Sequence, residues 1–318
     1  MLNDLKEQYR KSLKSMDTEE HIDLFFYRPL GFAWAYFFSK IGVTPNAITI
    51  ASIFLGIGAG ICFYYPVLWI NIIGMLLLIW ANTYDSADGQ LARLTKQYSA
   101  LGRILDGLSG DIWFATIYVA ICLREVHFDP FFSQHAWLIW LIAVCAGVCH
   151  AKQASMADHY RQFHLFFLKG KSGSELDNAS EQKAIYDSLS WKKNFWRKLT
   201  QLVYTNYTRE QEAWTPAMQD LRREVASRWP DGEISPEFAA EFRKASLPLM
   251  KYTNILSFNW RCIALFFSLF CGQPWWYFIF ELVVLNALLV YMVSRHESIC
   301  RRFAAQLRSQ SPAQNATA

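Results

Sequence analysis

The chain has 318 residues, 53% hydrophobic, 16% aromatic and only 18% charged, with a net charge of +4. That charge is too mild for a nucleic-acid footprint, so no nucleic-acid partner is expected. The charges fall between apolar blocks long enough to cross a hydrocarbon core, which needs roughly 20 mostly apolar residues per helix; this excludes a purely soluble domain. The seven cysteines (Cys62, Cys122, Cys145, Cys149, Cys262, Cys271, Cys300) show no C-x-x-C spacing, so neither a disulfide framework nor a zinc site is indicated.

In chain order, residues 1–21 are too polar for a cleaved secretory leader, and none is expected. Residues 22–40 are rich in aromatics but interrupted by Arg28, Pro29 and Lys40, which suits an amphipathic helix on the membrane surface. Six spans are expected: 47–65, opened by Thr44-Pro45-Asn46; 67–84, which runs on into YDSADGQLAR; 101–123; 136–152; 253–271; and 275–294. With a cytoplasmic N-terminus, only Arg124 falls in an outer loop. The arm, the 85–100 loop, the 152–252 segment and a tail carrying Arg295, Arg301, Arg302 and Arg308 then lie inside. The positive-inside rule therefore places both termini in the cytoplasm.

Between the fourth and fifth spans lies a polar insert. By composition, 170–183 reads as a loop. The run 191–204 sets Trp191, Phe195, Leu199 and Leu202 at helical spacing, with Lys192, Lys193, Arg197 and Lys198 elsewhere. Two readings fit it equally: a helix on an anionic membrane surface, or a packing face of a small cytosolic subdomain. Further helices are expected near 216–228 and 236–247, separated by WPDGEISP. The tail SQSPAQNATA reads as disordered. Asn178, Asn206 and Asn315 begin glycosylation sequons, which a cytoplasmic position makes chance matches.

The chemistry concentrates where the second span meets the third. Asp85 and Asp88, three residues apart, share a helix face, with Gly89 behind Asp85. A short loop returns the chain so that Asp106 comes opposite them. Three carboxylates at membrane depth repel one another and lose hydration, and such groups mark a site. Magnesium, typically held by one or two carboxylates plus substrate phosphates, answers that cost. Gly89 and Gly102 let a ligand approach the backbone, and Arg93 offers a fixed donor fork for phosphate. A cluster of solvated acids at a helix end is the bland alternative. It explains two aspartates but not a third one helix away.

The run D-x-x-D-G-x-x-A-R, eight residues, then G-x-x-x-D, resembles the signature of the CDP-alcohol phosphotransferases. The motif itself covers about 22 residues and the span pattern extends the likeness over most of the chain. The resemblance implies six membrane helices, a homodimer, and Mg²⁺ or Mn²⁺ held by Asp85, Asp88 and Asp106. It implies that Asn46, Gly89, Ala92, Arg93 and Gly102 face a cytidine diphosphate. It further implies transfer of a phospho-alcohol from a CDP-linked donor to a hydroxyl acceptor, with release of CMP. One position departs from the pattern: the family's fourth aspartate, assigned as the base, is Gly110 here, and the nearest acid is Asp111. In a regular helix Asp111 sits about 140° round from Asp106. A π-bulge, tolerable among Gly107, Ser109 and Gly110, is expected to restore the alignment and make Asp111 the base. Otherwise another group, or coordination of the acceptor oxygen, serves.

Acceptor-side candidates are Arg261, inside the fifth span beside Asn254 and Asn259, and His150 and Lys152, with His159 and Arg161, after the fourth. Snorkelling or a structural ion pair would account for Arg261 equally.

The expected fold is therefore all-α and integral to the membrane: a surface helix, six spans, and a helical cytoplasmic insert between spans four and five. Its parts are an arm and interfacial helix (1–40), spans one to four with the site (41–157), the insert (158–250), spans five and six (251–296) and a tail (297–318). The expected setting is the inner membrane of a bacterium. The expected function is head-group transfer in membrane lipid synthesis. Alternatives are transfer of a phosphoinositol-type group from a phospholipid to a ceramide-like lipid, and an ion-coupled transporter. The missing inverted repeat and the D-G-x-x-A-R spacing count against the last.

Overall fold

The computed structural model describes Glu7, Tyr9 and residues 15–170 and 176–310. The expected disordered tail and the Asn315 sequon fall mostly outside these residues, as do 171–175 of the expected loop. All regular structure among the described residues is helical.

The chain divides into two compact units, Met1–His150 with Phe258–Val284, and Ala151–Ser257 with Leu285–Ala318. In the first unit a π-helical turn, Asp23–Tyr27, leads into α1, Arg28–Ile41, where Pro29 occupies the first turn. Gly42, at φ +74°, closes α1 in the left-handed conformation that glycine adopts without strain. Helix α2 is Pro45–Tyr64, α3 is Leu68–Thr95 and α4 is Ala100–Phe128. A short α5, Pro130–Gln134, precedes α6, Ala136–Lys169.

Helix α2 packs closely because small residues line its contact. A methyl group on Gly56 would lie 2.0 Å from Trp113 Cδ1 of α4, and one on Gly60 would lie 2.7 Å from Thr116 Cγ2. In lipid, where there is no hydrophobic force between helices, such close approach is what holds them together. Phe63, Leu78, Trp113, Ile117 and Ile139 are buried in the resulting core.

Arg124, expected in an outer loop, lies instead within α4 and is buried. Its guanidinium donates to Phe63 O, Tyr65 O and Asn71 Oδ1 at 3.2, 3.3 and 2.8 Å. It thereby satisfies the carbonyls left open where α2 ends.

The second unit holds α7, Ala179–Ser188, α8, Phe195–Trp214, α9, Pro216–Arg228, and α10, Pro236–Ser246. Helix α7 corrects the expected loop. The Asn178 side chain accepts from Ser180 N and Glu181 sits in the first turn, a capping signal that composition alone overlooks. Glu297 accepts from Ala217 N and Met218 N, capping α9 from another segment.

The expected fifth span, 253–271, is interrupted. It consists of α11, Met250–Ile255, and α12, Phe258–Phe270. The break at Leu256-Ser257 coincides with Ser257 Oγ donating to Thr253 O at 3.0 Å, a side chain competing for helix backbone. At 1.5 Å per residue, α12 is about 20 Å long, short of a full hydrocarbon core. The last helix, α13, runs through Trp276–Ile279, a π-helical segment Phe280–Leu285 and Asn286–Gln310.

Among the described residues, five helices are thus long and apolar enough to cross a membrane: Pro45–Tyr64, Leu68–Thr95, Leu105–Phe128, Ala136–Leu168 and Trp276–Ser309. Large side chains such as Phe54, Leu76, Val144 and Val148 stand exposed along them, as lipid contact requires. The protein is a multi-pass membrane protein.

Candidate active site

The site is built on the helical continuation of the second apolar block. Helix α3 runs without a break to Thr95, so Asp85, Asp88, Gly89, Ala92 and Arg93 are all helical. Lys96 then takes a left-handed conformation, φ +56°, and the chain reverses into α4, whose Ser99 N-cap oxygen accepts from Gly102 N at 2.9 Å. That reversal sets Asp106 against Asp85 and Asp88. One carboxylate oxygen from each lies within 4.8 Å of the others.

The three acids differ in setting. Asp88 is 3% exposed and accepts a hydrogen bond from Thr49 Oγ1 of α2. Asp85 is half-buried and accepts from Ser109 Oγ of α4 at 2.8 Å, while Asp106 is exposed. Hydroxyl donors on neighbouring helices thus fix two of the carboxylates and leave the third open to the surface. Hard oxygen donors converging from two helices suit a small divalent cation and offset the mutual repulsion of the acids.

Beside this cluster, Arg93 folds back over Gly89, where a methyl would lie 3.5 Å from Arg93 Nη1. Arg93 Nε and Nη2 are buried and have no hydrogen-bond partner among the described residues. A buried guanidinium with idle donors is a rare and costly arrangement, and an anionic oxygen is its natural complement. At Gly102 a methyl would lie 2.5 Å from Asn46 Oδ1 and 2.9 Å from Ser99 Oγ, so the α2 and α4 starts meet only because Gly102 has no side chain. Asn46, Gly102 and the three acids therefore lie close together, all in the first unit. Ala92 is half-buried on α3, one residue before Arg93.

Helix α4 is α-helical throughout Ala100–Phe128, and the expected π-bulge is not there. The π-helical turns occur at Asp23–Tyr27 and Phe280–Leu285 instead. Asp111 is consequently exposed on a face about 140° from Asp106. We expect Asp111→Asn to retain turnover close to that of the parent. A loss on the order of 10²–10⁴, the size of a removed general base, would place Asp111 in the proton transfer.

The acceptor-side candidates separate. Arg261 is 1% exposed and paired with Glu281, itself fully buried. Tyr118 and Tyr277 also donate to Glu281, and His150 Nδ1 lies 3.1 Å from it. Arg261 and His150 thus meet around a carboxylate that the sequence reading missed; an acid inside an apolar run was the available signal. Lys152 belongs to the second unit, where its ammonium pairs with Glu210 at 3.0 Å and lies over the Trp214 ring. There too, His159 meets Thr215 and Arg161 donates to Asn254 and Ser257, all from within α6 rather than from a loop. Thr49 and Ser109 were also missed, since an isolated hydroxyl in an apolar run carries no distinguishing pattern.

A carboxylate triad with an idle arginine, set on two membrane helices, defines a membrane site suited to a divalent cation and a phosphate-bearing substrate. Residues 42–163 match the family model of the CDP-alcohol phosphatidyltransferases. The match spans α2 to most of α6, and with them every member of the triad. A domain of this kind implies a phosphotransferase, and the family is divalent-metal dependent. No curated protein matches the chain.

Proposed function

We propose that this protein transfers a phospho-alcohol group from a CDP-linked donor to a hydroxyl acceptor, releasing CMP, in the synthesis of lipid head groups. The observation that carries the reading is the pairing of three convergent carboxylates with the buried, partnerless Nε and Nη2 of Arg93. Asp85, Asp88 and Asp106 hold Mg²⁺ or Mn²⁺, which when bound neutralises charge developing on the diphosphate. Arg93 donates to the donor phosphates. Gly89, Ala92 and Gly102 leave room for the nucleotide, and Asn46 borders it. Thr49 and Ser109 keep Asp88 and Asp85 in place. The proposed setting is a homodimer in a bacterial inner membrane with both termini cytoplasmic. Helix α12, its short length met by local thinning of the bilayer, completes six spans, and the 158–250 segment is a cytoplasmic insert. Arg261 and His150 act on the acceptor side through Glu281, and Lys152 pairs with Glu210 within the second unit.

A second reading keeps the metal site and changes the substrates: a phosphoinositol-type group passes from a phospholipid to a ceramide-like acceptor. The absence of an acid at Gly110, one turn beyond Asp106, favours it.

The test is CMP release by the purified protein from CDP-linked donors, with and without EDTA. Metal-restored CMP formation supports the first reading. Lipid product formed from a phospholipid donor without CMP selects the second. Neither product under any metal would overturn both.

A further inference from the structure

Helix α8 carries its polar side inward. Thr205, Thr208 and Gln211 are buried, and the Gln211 amide donates to Ser155 O at 3.0 Å. Thr205 Oγ1 and Gln201 both reach Gln182 O of α7, so the contact between these helices is made largely by hydroxyls and amides. The side opposite Thr205 carries an apolar stripe, flanked by Thr200 and by Glu210, which pairs with Lys152. Trp196, Val203, Tyr207 and Trp214 fall within about 40° of one another at 100° per residue, and Thr205 lies about 180° from Trp196. Trp196 is 75% exposed and Val203 65%. The stripe named from the sequence is divided, with Trp191 and Phe195 exposed and Leu199 and Leu202 half-buried, and this outward stripe lies beside it.

The same end of α8 is strongly basic. The run 191–204 has four Lys or Arg and no Asp or Glu. Lys198 is engaged, donating to Leu189 O and lying over the Tyr186 and Trp191 rings. Lys192, Lys193 and Arg197 remain exposed beside Trp196 and Phe195. Aromatic side chains that stand outward, flanked by cations, match the interfacial layer of a bilayer with anionic head groups. The chain reaches this unit directly from α6 and returns through α13, both long enough to cross a membrane. A bilayer surface is therefore within covalent reach.

We infer that the outward face of α8 docks on anionic lipid, with Trp196 and Val203 in the head-group and acyl boundary and Lys192, Lys193 and Arg197 on lipid phosphates. Charge complementarity selects this occupant over a second copy of the chain, whose matching face would set these cations against their like.

The test uses the full chain with Cys62, Cys145, Cys149 and Cys271 changed to Ser. A nitroxide is placed at Val203→Cys or, as a water-facing reference, at the exposed Ala226→Cys of α9. The protein is reconstituted in phosphatidylcholine vesicles with and without phosphatidylglycerol. Collision with oxygen should exceed collision with a polar nickel chelate at 203 in the anionic vesicles, and the reverse should hold at 226. Each basic residue near an anionic leaflet is worth about fivefold in partitioning. The triple change Lys192→Glu, Lys193→Glu and Arg197→Glu should therefore bring 203 to the value of 226, with detergent activity unchanged. A 203 label that matches 226 in anionic vesicles, keeps its lipid signature after charge reversal, or shows spin–spin broadening between copies would overturn the proposal.

Discussion

Asp88→Asn is expected to lower transferase turnover by at least roughly 10³-fold while leaving the protein folded. Metal catalysis contributes several kcal/mol of charge stabilisation, and each 1.36 kcal/mol is a factor of ten. Asp88 is the most buried of the three acids and is held by Thr49. Asparagine keeps the shape, and its amide oxygen still accepts from the Thr49 hydroxyl, so only the charge is lost. In metal-free detergent the variant should be no less stable than the parent, since one of three mutually repelling carboxylates has gone. Added Mn²⁺ should raise the melting temperature of the parent, by linkage worth about 2.7 kcal/mol at a hundred times Kd. The variant should gain little. A Mn²⁺-dependent rise of full size in Asp88→Asn would falsify the assignment of this residue to the metal.

Arg261→Met is the second large effect, and it falls on stability. Glu281 is fully buried and takes donors from Arg261, Tyr118 and Tyr277, so removing the guanidinium leaves a buried carboxylate without its cation. Breaking such a pair from one side costs about 3–5 kcal/mol, whereas replacing both partners with apolar groups is often close to neutral. The double change Arg261→Met with Glu281→Leu should therefore recover most of the loss in denaturant unfolding. Should Arg261 instead bind the acceptor, the single variant would melt normally and show a raised KM for the alcohol. The two outcomes separate a structural ion pair from a substrate ligand.

Much of the site is legible in the sequence. The spacing of Asp85, Asp88 and Asp106 needs only helical periodicity and a short return loop to bring three acids together, and α3 and α4 supply both. The helices 216–228 and 236–246 were equally plain, each opened by a proline in its first turn. Helix 179–188 was hidden because one capping asparagine outweighed a polar composition. The interrupted segment at Leu256-Ser257 was hidden because hydropathy averages over a break that one hydroxyl can make.

What the sequence determined by itself is the local chemistry: which blocks seek lipid, which acids share a helix face, and which family signature the spacing resembles. Tertiary structure decided whatever depends on the partner across a helix boundary. It set Thr49 on Asp88 and Ser109 on Asp85, left Arg93 Nε and Nη2 without a partner, and locked Arg261 onto Glu281. It also kept α4 regular, so that Asp111 turns away from the acids, and turned Trp196 and Val203 of α8 outward. Periodicity gives the direction of a side chain on its own helix. Only packing determines what stands opposite, and there a charge is either neutralised or left waiting for a ligand.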